Sequence, residues 1–175
     1  MKTIRFLTIS MLAIAVFAVS AQAQRRSTRR SSAKPAATAT TAAASSEIRE
    51  GKMKVALQLN NVADFNYKLG GIATGLEDMD KLARQKPLSQ GASSKHNANK
   101  QAVVQLIHNL QVGMAALEVE FRTKPGLKKF QFNVGGISAL VGQSEDQAAG
   151  GQFVQSGRTL LQVIQKLSDT LVAMP

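Results

Sequence analysis

Residues 103–121 read VVQLIHNLQVGMAALEVEF, and the fold follows from where the large apolar side chains fall in that stretch. Val103, Ile107, Leu110, Met114, Leu117 and Phe121 are separated by steps of 4, 3, 4, 3 and 4. One turn of α-helix takes about 3.6 residues, so this spacing holds a single stripe on one face. The alternation of four and three is the heptad of a helix packed against other helices. Pro125-Gly126 predicts its end.

Working outward, three further stretches carry the same period. Upstream, Val55, Leu59, Val62, Phe65, Leu69, Ile72, Leu76, Met79 and Leu82 form a longer stripe. Ser46 is placed to cap that helix, Glu47 and Glu50 suit the positive end of its dipole, and Pro87 stops it. About 38 residues at 1.5 Å each predict a helix of roughly 57 Å. Between the two helices, residues 88–97 are rich in Ser, Gly and Lys and read as a polar loop. Downstream, Phe130, Val134, Ile137, Val141 and Ala148 make a third helix, and Phe153, Gly157, Leu160, Ile164, Leu167 and Leu171 a fourth. Gly150-Gly151 is the expected turn between them. Gly142 is a competing break, because Ser144 and Gln147 fit a capping box.

The first and third helices resemble each other. Residues 65–73, FNYKLGGIA, align with residues 130–138, FQFNVGGIS, at an offset of 65. The second and fourth match more weakly, residues 105–110 (QLIHNL) against residues 162–167 (QVIQKL), at an offset of 57. The expected fold is therefore all-α: an up-down-up-down four-helix bundle made of two duplicated helical hairpins. The offset also favours the later break, at Gly150-Gly151. Four glycines inside predicted helices (Gly70, Gly71, Gly135 and Gly136) need a reason, since each costs about 1 kcal/mol against Ala. Close crossing of helices one and three, a kink, or room for a ligand in the interior would each supply one.

The chain before residue 47 divides in two. Lys2 and Arg5 precede an apolar run from Phe6 to Val19, and Ala21-Gln22-Ala23 follows. That order predicts a signal peptide over residues 1–23, cleaved before Gln24, and a periplasmic or secreted protein. Beyond the leader no other long apolar run is apparent, so no transmembrane segment is expected in the mature chain. Residues 24–46 hold Arg25, Arg26, Arg29, Arg30 and Lys34 among Ser, Thr and Ala, without an acid. Such a composition predicts a disordered basic linker, with the folded domain over residues 47–175.

The net charge is +11, from 22 Lys and Arg against 11 Asp and Glu. Seven of the cations lie before residue 47 and every acid lies at or after it, so the folded part carries only +4. In the expected topology the turn after helix two lies beside the start of helix one. Arg49, Lys52, Lys54, Arg122, Lys124, Lys128 and Lys129 then share one pole with the basic linker, diluted by Glu47, Glu50, Glu118 and Glu120. This layout suggests contact with an anionic envelope component, such as lipid headgroups or cell-wall polymer. Nucleic acid is not an expected partner of an exported chain whose basic arm has no aromatic to stack on bases.

Chemistry is scarce. There is no cysteine, so no disulfide, thiolate metal site or thiol nucleophile. His96 falls in the expected loop and His108 on the flank of helix two. Glu118 and Glu120 sit near Arg122 and Lys124, which suggests solvated ion pairs. Glu77, Asp78 and Asp80 lack the spacing of a calcium loop. No Glu-x-x-His pair, P-loop or hydrolase motif occurs. The expectation is a non-enzymatic envelope binding or scaffold protein without metal or cofactor. The alternative is a small-molecule or haem carrier using the bundle interior around the Gly-Gly steps.

Overall fold

The computed structural model describes residues 36–175. These are all-helical, with no strand among the described residues. Four helices of 13 residues or more account for most of them: α1 (Ala36–Gln85), α2 (Gln90–Thr123), α4 (Ile137–Ala149) and α5 (Phe153–Ala173). A 3-10 turn, Lys128–Phe130, and the one-turn helix α3 (Gln131–Val134) lie between α2 and α4. The calls on residues 1–35, including the leader and the cations Arg25 to Lys34, lie outside the described residues.

α1 is longer than its apolar stripe. It begins at Ala36, so the Ala/Thr run is helical from there and Ser46 is an interior residue, not a cap. Its hydroxyl donates back to Ala43 O at 2.8 Å, as serines inside helices do. Alanine has the highest helix propensity, which carries the helix past the point where burial stops. The far end comes at Gln85, two residues before Pro87, whose ring disfavours helix in the residue ahead of it.

The expected loop over residues 88–97 shrinks to the segment 86–89. Ser89 caps α2, accepting from Ala92 N at 3.3 Å, and the helix is already under way at Gln90. α2 then buries Val103, Ile107, Met114, Leu117 and Phe121, while Leu110 is only half-buried. Its mean hydropathy reaches 1.2 over 18 residues, so by length and composition it could cross a membrane. The expectation that no such run follows the leader is amended accordingly. In the fold, four residues of that run, Val103, Ile107, Met114 and Leu117, belong to the core.

The third expected helix is interrupted. Gly135 is extended and Gly136 takes φ +82°, a left-handed conformation that glycine adopts without steric cost. The Gly135 carbonyl leaves the helical ladder there and accepts a hydrogen bond from Lys166 Nζ. The next boundary falls at Gly150-Gly151, the expected turn. Gly151 has φ +78°, Gln152 N donates to Gln147 O at 2.8 Å and Gly151 N to Ala148 O at 3.0 Å. This is a Schellman C-cap. Gly142 lies inside α4.

α1 and α4 each lie against both α2 and α5. Their facing stripes form one core, in which Val55, Val62, Leu69, Ile107, Met114, Val141, Phe153, Leu160 and Leu167 are fully buried. Ser144 and Ser156 are buried with them, their hydroxyls 2.7 Å apart. Ile72 and Leu82, expected on the stripe of α1, are about half exposed. The straight 3.6-residue helix drifts away from a seven-residue repeat, and Ala73 takes the buried place instead.

Candidate functional site

The pole at the C-terminal end of α2 is built on two glycines. After Pro125, Gly126 N donates to Glu47 Oε2 at 2.7 Å, and a Cβ on Gly126 would lie 2.9 Å from Ala44 O. Leu127, fully buried, fills the notch left by Gly51, where a Cβ would come within 2.6 Å of it. The turn is thus seated on residues 44–51 of α1. The chain end reaches the same place: Lys52 Nζ donates to Met174 O at 2.9 Å and to Pro175 O at 3.1 Å.

Of the seven cations expected at this pole, three are occupied. Lys52 holds the chain end. Lys54 bridges Glu50 at 3.0 Å and Glu120 at 2.6 Å, and Lys124 binds the same two acids. Glu120 is largely buried, and burial works against its charge. Hydrogen bonds from Lys124 and Lys54 outweigh burial and hold it below its ordinary value. Hydrogen bonds from Lys54 and Lys124 likewise lower Glu50, and those from Glu120 and Glu50 raise Lys54 and Lys124. Arg49, Arg122, Lys128 and Lys129 remain exposed and make no ion pair among the described residues. Lys129 Nζ lies 4.8 Å above the Phe130 ring, which positions it without neutralising it.

The acids do more than dilute the pole. Glu118 is not a solvated partner of a neighbouring cation: it accepts from Ser138 N at 2.8 Å and from Ser138 Oγ at 2.9 Å. Those donors belong to the first turn of α4, where a carboxylate meets the positive end of the helix dipole. Glu77 treats α5 in the same way, accepting from Val154 N at 2.8 Å.

The four singled-out glycines do not act alike. α1 runs unbroken through Gly70 and Gly71, and a Cβ at either would meet open space. Neither marks a close crossing of α1 with the third helical segment. Gly135 and Gly136 make the break before α4. Gly71 borders an open groove between α1 and α2, and Gly70 a smaller one between α1 and α5. In the second, Asn66 Oδ1 is buried with no hydrogen-bond partner among the described residues.

Sequence reasoning missed one cluster. His96 is buried in α2 and not solvated in a loop, its Nε2 2.7 Å from Asp80 Oδ1 on α1. Lys100, one turn further along α2, donates to both Asp80 oxygens at 2.9 and 2.8 Å. Burial opposes the Asp80 charge, but the hydrogen bonds from Lys100 and His96 prevail and lower it. The heptad itself carried the signal: one repeat back from Val103 is residue 96. His108 is half exposed on the flank, as its position predicts, with Nδ1 3.2 Å from Glu145 Oε1. Among the described residues no three His, Asp or Glu converge as a metal site. No known family model, curated protein or solved structure matches the chain.

Proposed function

We propose that the protein is exported, has no catalytic activity, and binds an anionic envelope component through its basic pole. The observation that carries this reading is the seating of the turn at residues 124–130 on residues 44–51. It fixes Arg49, Arg122, Lys128 and Lys129 at one end of the helices with no acid paired to them. In sequence, Arg25, Arg26, Arg29, Arg30 and Lys34 precede α1 and add to the positive charge on which this reading rests. Each cation held near a surface of anionic lipid contributes about 1 kcal/mol.

The scaffold behind the pole is read as an up-down-up-down bundle. Cross-links between helices support it. Lys54 meets Glu120 while Asp80 meets Lys100, so α1 and α2 run oppositely. Glu118 with Ser138 and His108 with Glu145 relate α2 to α4 in the same sense, and Asn66 beside Gly157 with Lys52 at Met174 relate α1 to α5. Duplication of one hairpin is supported by matched surroundings: Leu69 and Val134 are both buried, and Tyr67 and Phe132 both exposed.

Sedimentation of the purified chain with phosphatidylglycerol vesicles, with phosphatidylcholine vesicles and with insoluble cell wall tests the proposal. Binding to one anionic material, lost at high salt and weakened by deleting residues 24–34, is expected, and the material that binds identifies the source of negative charge. Binding that survives high salt, or equal binding to phosphatidylcholine, overturns it.

A further inference from the structure

We propose that the groove between α1 and α2 is a second binding site, for a small amphiphile with an apolar chain and a carboxylate head. The groove is open to solvent, has a volume of about 740 Å³, and is lined by Gly71, Ile72, Gly75 and Met79 of α1 and by Val103 and Leu106 of α2. Pockets for small molecules fall in this size range and are mostly apolar with few polar groups. Ile72 is 48% exposed and Leu106 51%, so each helix offers the open slot a large apolar side chain. Residues 71 and 75, on the α1 side of the slot, have no side chain. A Cβ at either position would meet nothing within 4 Å.

One end of the groove is polar, and it is built. His96 is 6% exposed and lines that end. Asp80 holds its Nε2 at 2.7 Å, and Asp80 is itself gripped by Lys100. The other ring nitrogen, Nδ1, has no hydrogen-bond partner among the described residues and is not sealed from solvent. A ring fixed on one side and unpartnered on the other offers a polar contact to a ligand head in the groove. Lys95 lines the same end and makes no ion pair among the described residues. Charged groups at this end are Asp80 of α1 and Lys95 and Lys100 of α2, and Gly151, in the turn between α4 and α5, lies close to Asp80 and Lys100. That end therefore favours an anion. From His96 to Leu106 the helix rises about 15 Å, room for a medium-length alkyl chain lying along the slot.

Isothermal titration of the purified chain with dodecanoate, decanoate and dodecyltrimethylammonium, all below micelle-forming concentrations, tests this. Dodecanoate should bind saturably at one site. Decanoate, two methylenes shorter, should bind roughly 15-fold more weakly. The cationic amphiphile should bind at least tenfold more weakly than dodecanoate. Gly75→Leu fills the slot from a position with open space around it, and Gly71→Leu does so independently. Each should keep the circular dichroism of the parent and lose affinity for dodecanoate by tenfold or more. This loss separates the groove from the basic pole, which neither substitution touches. Absence of saturable dodecanoate binding, equal affinity for the cationic amphiphile, or unchanged binding in both folded glycine variants overturns the proposal.

Discussion

Gly71 and Gly136 hold matching places in two similar segments, yet a methyl group at each meets different physics. At Gly71, and at Gly70 beside it, the helix is continuous and the added atom finds open space. Gly70→Ala and Gly71→Ala should each raise stability by about 0.5–1 kcal/mol, the helix-propensity gain. Gly136 sits at φ +82°, and Gly136→Ala should lower stability by about 1–2 kcal/mol. Urea midpoints of the three variants check the contrast. The glycines were legible as unusual, but which of them bend the chain was not. That depends on Lys166 being present to take the freed Gly135 carbonyl, a contact 31 residues away in sequence. Acid titration probes the same scale. Glu120 and Asp80 are held below their ordinary values of 4.5 and 3.8. A lowered folded value means stabilisation that is complete above the unfolded value and lost as pH falls through the folded one. Stability should therefore decline as pH falls below about 4.5, and Glu120→Gln should flatten part of that decline in urea midpoints measured against pH.

At the scale of elements, the fold was readable wherever one face of a helix is buried. The stripes from Val103 to Phe121 and from Phe153 to Leu171 repeat because burial repeats with the turn of the helix. Residues 90–100 failed as a helix signal because only His96 among them is buried, and a histidine does not read as core. The start of α1 failed for the opposite reason: alanine favours helix without advertising a buried face. The acids that cap α4 and α5 were out of reach, because Glu118 and Glu77 act on helices that follow in the chain, across a tertiary contact. Glu118→Ala should cost about 1 kcal/mol, the usual worth of a cap, with the loss seen in thermal unfolding and reduced in Glu118→Gln. Gly126→Ala should cost about 1–3 kcal/mol, because its new atom meets the Ala44 carbonyl and has nowhere to go.

For the whole molecule, the pole was legible as a set of charges but not as a geometry. The spacing of Lys54, Glu50, Glu120 and Lys124 in sequence does not say that they satisfy one another, and the fold removes them from the free positive charge. What is left is a smaller and sharper feature, four cations on and around a turn that Gly51 and Gly126 allow to sit tightly against α1. If that feature carries the function, neutralising it should weaken binding without unfolding the protein, since none of the four takes part in an ion pair among the described residues. The most direct measurement is the Kd for phosphatidylglycerol vesicles, at low salt, of the parent and of the variant carrying Arg49→Gln, Arg122→Gln, Lys128→Gln and Lys129→Gln. At about 1 kcal/mol per cation the account predicts a loss of at least 100-fold in the variant, with helix content and urea midpoint unchanged. A folded variant that binds the vesicles as tightly as the parent would contradict it.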